Sequence, residues 1–398
     1  MNNPIKIGLF GYGVVGHGVY DILINSKSLQ TEIIKICAKH PEKKRDLPMD
    51  NFTFNKYELL DNPEIDLIVE LIDDAEAAFE ILKEALSRGK NVVTSNKKML
   101  AEHLQEIYEL QKSTGKSVLY EGSSCGSIPI IRTLEEYYDN EMLNSVSGIF
   151  NASTNYILTR VCNENKDYDL TVQRAQDLGL LETNPTLDIV GFDALYKLAI
   201  ITAHAYGYFP KTDEIVTHGI QNINKYDVQY AKEKEVVIKH VAHARKVNDN
   251  EICLFVLPQF VSNERDLSYV NLDDNAVEIE ASFSQNHFLK GKGAGSFPTG
   301  SSVVSDISAL TYNYQYAYKK RELHGKLSQT QEVVLEVYFR YYDKKNLDYF
   351  HFDKITEEYK SKDYNYVVGN ISLKALLAAK DRLNTADIFM AFTGNIID

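Results

Sequence analysis

The sequence predicts an α/β protein in which a doubly wound parallel sheet is followed by an α+β domain and a small C-terminal α+β module. Three observations support this prediction. Short apolar runs alternate with amphipathic stretches in the N-terminal part, a glycine-rich turn follows the first run, and the pattern changes to long helices and then strands after residue 150. Apolar strands that alternate with helices are typical of parallel sheets, because helices cover both faces of such sheets.

The first strand and helix are joined by four glycines within eight residues. The run 5–10 is apolar and rich in β-branched residues, Gly11-x-Gly13-x-x-Gly16 follows it, and an amphipathic helix continues from there. In a Rossmann-type fold these glycines permit a tight turn, close approach of a pyrophosphate and helix-strand packing. Val14 and Val15 would then present N-H groups at the positive end of the helix. The motif alone is a weak signal that also suits a structural turn, but its place between strand and helix favours a dinucleotide.

The end of the second predicted strand, residues 32–38, carries basic residues where an NAD-selective site would place a carboxylate. Lys39 is suited to pair with the 2'-phosphate of NADP, helped by Lys43 or Arg45. The sequence therefore favours NADP, with NAD as the alternative. A solvated basic loop is nearly as good an interpretation of Lys43, Lys44 and Arg45.

Two further strands, 65–72 and 91–94, are each followed by a helix, which starts near Ala75 and near Met99. The carboxyl ends of parallel strands face the ligand crevice in doubly wound sheets. The residues expected beside the cofactor at these ends are Asp73, Asp74, Thr94, Ser95, Asn96 and Lys97.

Composition limits the classes of function. The 398 residues are 44% hydrophobic and 25% charged, and no apolar run is long enough to span a membrane. The net charge of −13 disfavours nucleic acids and anionic membranes as partners, so a small-molecule substrate is expected. Four scattered cysteines without a C-x-x-C pair suggest reduced thiols, and the N-terminus leaves no room for a signal peptide. The predicted location is the cytoplasm.

Six ordered motifs resemble those of the homoserine dehydrogenase family. They are the glycine turn, Val93-Thr94-Ser95-Asn96-Lys97, residues 121–131, residues 148–158, residues 182–197 and Gly291-x-Gly293-Ala294-Gly295 with Pro298-Thr299. The resemblance extends over roughly residues 5–325. It implies NAD(P)H-dependent interconversion of L-aspartate 4-semialdehyde and L-homoserine, in threonine and methionine biosynthesis, by a homodimer.

Asp193 and Lys197 are spaced to share one helix face, and Glu182 precedes them in a loop. The spacing alone would favour an ordinary surface ion pair. The resemblance implies instead that Lys197 transfers the proton, that Lys97 is a second active-site lysine, and that two facing lysines lower each other's pKa. It also implies that Glu182 and Asp193 hold the substrate. The remaining positions that match the family are Asn151 and Thr154 for substrate, and Gly179, Glu182 and Gly295 for cofactor or the closed site.

The segment from Glu121 matches a family segment whose main-chain carbonyls bind a monovalent cation, usually sodium. The matching carbonyls belong to Glu121, Ser124, Gly126 and Ile128. Main-chain oxygens suit such a cation and leave no side-chain signature, so an ion-free turn is the alternative. Cys125 stands where the family normally has glycine.

The predicted domains are residues 1–135 with 302–325 for the dinucleotide, 136–301 for substrate and dimerisation, and 329–398 as a reduced ACT-like module. A helix is expected near residues 352–360 in that module. His240 and His243 are predicted on a helix, and without a third ligand nearby no transition metal is assigned to them. Two rival functions are a dehydrogenase of a related amino-acid semialdehyde and a catalytically weak amino-acid-sensing protein, the latter motivated by Asp73 and Asp74 where the family has glycines.

Overall fold

The structure is a computed structural model that describes residues 4–140, 142–181, 184–323 and 327–397. Its chain divides into two compact units. The first consists of Met1–Tyr137 with Ala294–Lys319, and the second of Tyr138–Gly293 with Lys320–Asp398. In the described residues, no helix is both long enough and apolar enough to cross a membrane.

The strands and helices follow one another along the chain in an order that separates a parallel from a mainly antiparallel part. The strands are β1 (Ile5–Phe10), β2 (Thr31–Cys37), β3 (Phe52–Thr53), β4 (Leu67–Glu70), β5 (Asn91–Thr94), β6 (Val118–Leu119), β7 (Leu143–Ile149), β8 (Val216–Thr217), β9 (Val236–Asn248), β10 (Glu251–Ser262), β11 (Asp274–Ala281), β12 (Gln285–Lys292), β13 (Ser328–Gln329), β14 (Val334–Tyr341), β15 (Lys354–Lys360), β16 (Asn365–Ser372) and β17 (Ile388–Ile397). The helices are α1 (Val14–Asn25), α2 (Tyr57–Leu60), α3 (Ala75–Ser87), α4 (Lys97–Thr114), α5 (Ile130–Arg132), α6 (Ala152–Leu158), α7 (Tyr168–Asp177), α8 (Thr186–Ile189), α9 (Phe192–Tyr206), α10 (Lys225–Glu233), α11 (Ser296–Leu310), α12 (Lys319–Leu323), α13 (Lys344–Asp348), α14 (Leu373–Ala378) and α15 (Lys380–Thr385).

The first unit is built on a parallel sheet in the order β3-β2-β1-β4-β5-β6. This is the strand order of a Rossmann fold, which places a crevice between the carboxyl ends of β1 and β4. All four residues of β4 are buried, as expected for a strand covered on both faces. The predicted doubly wound parallel sheet is confirmed.

The second unit is built on a mixed sheet in the order β12-β11-β7-β9-β10-β17-β14-β16-β15, and β8 and β13 also pair with β10. The long hairpin of β9 and β10 forms its centre. Helices α6 and α9 contact this sheet and carry the polar residues of the candidate site.

Residues 329–398 belong to this second unit and do not form a module of their own. Strand β17 pairs with β10 at Phe392 and Gln259. One apolar core contains side chains of β10, such as Phe255 and Leu257, together with Phe339 and Met390 from the C-terminal strands. The expected ACT-like C-terminal module is therefore not confirmed, because these strands share their core with β10.

Two local predictions are also wrong. Residues 354–360, expected as part of a helix, form the edge strand β15 and pair with β16. The predicted helix at His240 and His243 is the strand β9, which pairs with β10 along its whole length. In both places pairing with the next strand of the chain, in a hairpin, overrides the local preference.

Candidate active site

The glycine turn of the first unit lies between β1 and α1, as the sequence predicted. Gly11 has a φ of 91°, and a Cβ on it would lie 2.6 Å from the carbonyl oxygen of Leu71. A Cβ on Gly16 would lie 2.5 Å from the carbonyl oxygen of Gly11, whereas a Cβ on Gly13 would meet nothing within 4 Å in the part of the chain that the structure describes. Packing therefore explains the first and third glycines, and open space at the second is where a ligand could approach the backbone.

The amino ends of α1 and α11 lie side by side in this unit. Gly13 and Gly295 are their N-cap residues, and neither helix end is capped by a side chain within the described residues. The Ser296 hydroxyl donates a hydrogen bond to the carbonyl oxygen of Val14 at 2.8 Å. Val14 is exposed and Val15 partly exposed, so two uncapped helix ends offer N-H groups that suit a pyrophosphate.

Lys39 lies just after β2 and is exposed, in a basic loop. Arg45 organises this loop, because its guanidinium donates to the carbonyl oxygens of Lys43 and His40 at 2.8 and 2.7 Å. Asp46 from the same loop lies 3.6 Å from Nδ1 of His17 in α1. The sequence showed no acidic residue at the end of β2, but the structure brings this carboxylate close to the glycine turn.

A buried carboxylate that sequence reasoning missed supports the start of α4. Glu70 accepts hydrogen bonds from the Thr94 hydroxyl at 2.5 Å and from the amide of Ile72 at 2.6 Å. The Thr94 hydroxyl in turn accepts a hydrogen bond from the amide of Asn96. The side-chain oxygen of Asn96 caps α4 by accepting from the amide of Met99. Burial raises the pKa of Glu70 to about 7. This network fixes the backbone from Thr94 through Ser95 to Lys97, the first residue of α4.

The two aspartates that follow β4 have different environments. Asp74 caps α3, since its carboxylate accepts from the amide of Ala77 at 3.1 Å. The negative charge of Asp73 contributes to the raised pKa of Glu70. Both side chains are exposed, so helix capping accounts for one of the two departures from the family pattern.

The loop after β6 holds the four predicted carbonyl ligands. The carboxylate of Glu121 accepts from the amides of Ile131 and Arg132, and its own amide donates to Asp306 at 2.7 Å. Cys125 is fully buried and has a φ of 53°, a left-handed conformation, and Gly126 follows with a φ of 59°. The carbonyl oxygens of Glu121 and Gly126 accept from the amide of Ser124 and from the hydroxyl of Ser302. Each carbonyl oxygen can still accept a second partner.

The second unit brings two of the predicted substrate residues, Asp193 and Asn151, together beside Lys197. Nζ of Lys197 donates to Oδ2 of Asp193 and to the carbonyl oxygen of Phe150, both at 2.7 Å. The side chains of Lys197 and Asp193 are 9% and 6% exposed. The alternative of an ordinary surface ion pair is therefore wrong, because the pair is buried.

Asn151 connects this ion pair to the neighbouring loop. Its side-chain amide donates to Oδ2 of Asp193 at 2.8 Å and to Oδ1 of Asp188 at 2.6 Å, and its oxygen caps α6 by accepting from the amide of Thr154. Asp188 was not singled out from the sequence, although it stands five residues before Asp193 in the same motif. Thr154 itself is completely buried and donates to the carbonyl oxygen of Asn151.

Asn275 is a second residue that sequence reasoning missed. Its amide donates to the carbonyl oxygen of Phe150 at 3.0 Å, the same oxygen that Lys197 contacts. A Cβ on Gly293 would overlap Oδ1 of Asn275, so the glycine leaves room for this side chain. Only the pairing of β11 with β7 brings Asn275 here, so no local signal indicated it.

The remaining positions singled out from the sequence are Gly179, Glu182 and the two histidines of β9. Gly179 follows α7 with a φ of 70°, and a Cβ on it would meet no atom of the described residues within 4 Å. Glu182 lies outside the described residues. His240 and His243 are separate: Nε2 of His240 contacts the carbonyl oxygen of His218, and Nε2 of His243 contacts Oε1 of Gln259.

Two family models and several known proteins match the sequence of this chain. Residues 11–121 match the family model "Homoserine dehydrogenase, NAD binding domain", and residues 129–308 match the model "Homoserine dehydrogenase". The homoserine dehydrogenase of Bacillus subtilis is 31% identical over 376 residues, covering 91% of this chain and 86% of that protein. The Helicobacter pylori enzyme is 35% identical over 343 residues, covering 84% and 79%.

Solved structures lead to the same family. A homoserine dehydrogenase from Thiobacillus denitrificans superposes with a TM-score of 0.82 at 27% identity, covering 99% of this chain and 97% of that chain. A hyperthermophilic archaeal homoserine dehydrogenase mutant in complex with NADPH superposes with a TM-score of 0.68 at 27% identity, covering 79% and 99%.

Proposed function

The chain belongs to the homoserine dehydrogenase family, and we propose that Lys197 is the proton-transfer residue of its reaction. The observation that supports this role is the hydrogen bonding of Nζ. A lysine ammonium has three N-H donors, and within the described residues two are used by Asp193 and Phe150. The third remains for an oxygen of the substrate.

The reaction interconverts L-aspartate 4-semialdehyde and L-homoserine. When bound, the nicotinamide cofactor supplies or accepts the hydride at the carbonyl carbon. In the reducing direction Lys197 donates its proton to the developing alkoxide, and Asp193 and the Phe150 carbonyl hold the ammonium in place. Asp193 and Asn151 also offer polar groups to the amino and hydroxyl groups of the substrate. Glu182 and Lys97 keep the roles that the family resemblance implies.

The test is the rate of NADPH oxidation by the purified protein with L-aspartate 4-semialdehyde. Turnover is expected with this aldehyde, and its product should be homoserine. Ligand binding without turnover would favour the sensing protein, and faster turnover of a homologous semialdehyde would favour the related dehydrogenase. Family membership favours neither of these alternatives.

NADP is the proposed cofactor in preference to NAD. Support comes from the exposed position of Lys39 after β2 and from the relative that carries NADPH. Asp46 near the glycine turn is the opposing feature, since a carboxylate there suits a ribose hydroxyl better than a phosphate. We expect Lys39→Ala to raise KM for NADPH about 10-fold, as for one lost charge-assisted contact, and to leave KM for NADH unchanged. Lys44→Ala, in the same loop, is the control; equal effects on both cofactors would contradict the role of Lys39.

A monovalent cation, taken as sodium, fits the loop after β6. The carbonyl oxygens of Glu121, Ser124, Gly126 and Ile128 would hold it, and it would order the loop without taking part in hydride transfer. Support comes from the turn at Cys125 and Gly126 and from the neutral main-chain character of the donors. Replacing sodium chloride by choline chloride at constant ionic strength should lower kcat. An unchanged kcat would remove the cation from the proposal.

A homodimer is the proposed assembly. The mixed sheet of the second unit ends at β12 and β15, and such edge strands can pair across a two-fold axis. Light scattering coupled to size exclusion should give twice the chain mass of 45.2 kDa.

A further inference from the structure

Helices α3 and α4 of the first unit bring three potential metal ligands together. Glu76 lies in the first turn of α3, and Glu102 and His103 lie in α4. A carboxylate oxygen of each glutamate and a ring nitrogen of His103 lie within 4.8 Å of one another, and the described residues contain no second such group. Neither the family motifs nor the proposed reaction uses these residues.

The imidazole of His103 is fixed in a defined orientation. Its ring stacks on Phe79 of α3 with 3.8 Å between centroids and 9° between planes. Its Nδ1 lies 3.0 Å from Oε1 of Glu106, one turn further along α4. Because a carboxylate can only accept at this distance, the proton of a neutral His103 belongs on Nδ1 and Nε2 carries the lone pair.

Nε2 of His103 has the properties of an unused ligand. The atom is inaccessible to solvent and has no hydrogen-bond partner in the described structure. Oε1 of Glu76 is 3.7 Å away, too far for a hydrogen bond. Two ligands of one tetrahedral ion, each bonded at about 2.0–2.2 Å, are separated by roughly 3.3–3.6 Å. The two atoms are therefore almost at the separation that a shared zinc ion requires.

We propose that Glu76, Glu102 and Nε2 of His103 bind a divalent transition-metal ion of the zinc class, with water as the remaining ligand. Glu106 is the outer carboxylate that sets the tautomer and orients the imidazole. The side chains of Glu76 and Glu102 are 78% and 32% exposed, so they can close around an ion without moving the backbone. An imidazole in the ligand set selects zinc-class ions over magnesium and calcium.

Two interactions compete with the ion. If His103 were protonated, its imidazolium would bridge Glu76 and Glu106 as two ion pairs, and no lone pair would remain for a metal. Lys98 lies 3.8 Å from Glu102, an exposed contact that contributes little to stability and that an ion can displace.

The ion would connect the first turn of α3 to α4, whose first residue follows β5 closely, and so would stabilise the first unit.

The test is calorimetric titration of zinc chloride into the tag-free, chelator-treated full chain at pH 7.5. We expect one site per chain, and at least a 10-fold weaker site in Glu76→Gln and in His103→Gln. Glu76→Gln changes an exposed residue and so tests the site even if His103→Gln impairs folding. Glu106→Ala should weaken binding about 10-fold although Glu106 is not a ligand.

Two variants serve as matched controls. Glu109→Ala removes one carboxylate from the same helix, and His351→Gln removes an exposed histidine from the other unit; both should bind zinc like the parent protein. Absence of a one-to-one site, equal affinity for magnesium, or unchanged binding in Glu76→Gln would each overturn the proposal.

Discussion

Two buried ion pairs of the second unit differ in their exposure to solvent and in how their carboxylates are used. Asp227 and Arg340 are fully buried, and the carboxylate accepts from Nε of Arg340, the Tyr338 hydroxyl and the amide of Asn224. Asp193 and Lys197 remain slightly exposed, and one N-H of Lys197 has no partner in the described structure. The first carboxylate is saturated by the fold, whereas the second pair retains a donor for the proposed proton transfer.

The two pairs also differ in separation along the chain. Asp193 and Lys197 are four residues apart on α9, while Asp227 on α10 and Arg340 on β14 are 113 residues apart. The ion pair of Asp227 and Arg340 connects the C-terminal strands to α10, and the shared core around Phe255 and Phe339 connects them to β10. Nη1 of Arg340 also lacks a partner in the described structure, but both side chains of that pair are fully enclosed. An unused donor in a buried charge pair therefore indicates a site only where a ligand can reach it, as at the slightly exposed Lys197.

The largest expected effect is on catalysis by the pair of α9. Lys197→Met should lower kcat about 10³-fold, as expected for loss of a general acid-base. Lys197→Arg keeps the positive charge but cannot release a proton near neutral pH, so it should be nearly as inactive. Steady-state kinetics with thermal melts of both variants provide the measurement. Substantial activity in Lys197→Arg would show that charge alone suffices.

The next largest effect is on stability at the pair of α10 and β14. Arg340→Met leaves Asp227 buried without its cation and should lower the free energy of unfolding by about 3–5 kcal/mol. Asp227→Leu combined with Arg340→Met should be considerably less destabilising than either single change, because no uncompensated charge remains. Urea unfolding of the three variants measures this. Additive losses would mean that the residues do not act as a pair.

Glu70 provides a third buried charge, held by neutral donors instead of a cation. Its pKa is raised from 4.5 to about 7, so the folded state binds more protons than the unfolded state between these values. The resulting stabilisation is complete below pH 4.5 and is lost as the pH rises through 7, a change of at most about 3 kcal/mol. Glu70→Gln should remove this dependence. Unfolding at pH 5.5 and 8.0 provides the measurement, and an equal slope in the variant would place the titration elsewhere.

The smallest effect concerns backbone conformation, where no charge is involved. Cys125 has a left-handed conformation that glycine adopts without strain. Cys125→Gly should therefore be more stable than Cys125→Ala by about 1 kcal/mol, the reverse of the usual order of these two residues. Thermal denaturation of both variants tests it. Lower stability of the glycine variant would mean that the turn does not strain a side chain.

Elements with a strong local pattern could be predicted from the sequence. The strand, glycine turn and helix at the N-terminus, and the pairing of Asp193 with Lys197, depend on neighbours within a few residues, so periodicity and spacing were enough. The sequence also carried the family motifs, and with them the reaction. For β15 and for His240 in β9, local pattern predicted a helix, but pairing with the next strand in a hairpin made each of them a strand.

Only the tertiary structure decided which residues distant in sequence come into contact. It lets Asn275 donate a hydrogen bond to the same carbonyl oxygen as Lys197, and it buries Glu70 in a hydrogen bond with Thr94. It also joins the C-terminal strands to β10 in one core. Each of these depends on contacts between residues more than twenty positions apart. The free energy of such contacts comes from burial, and the burial of a residue depends on parts of the chain that a short stretch of sequence does not include. The sequence by itself determined the dinucleotide fold and singled out the lysine proposed to react, and the fold determined what surrounds them.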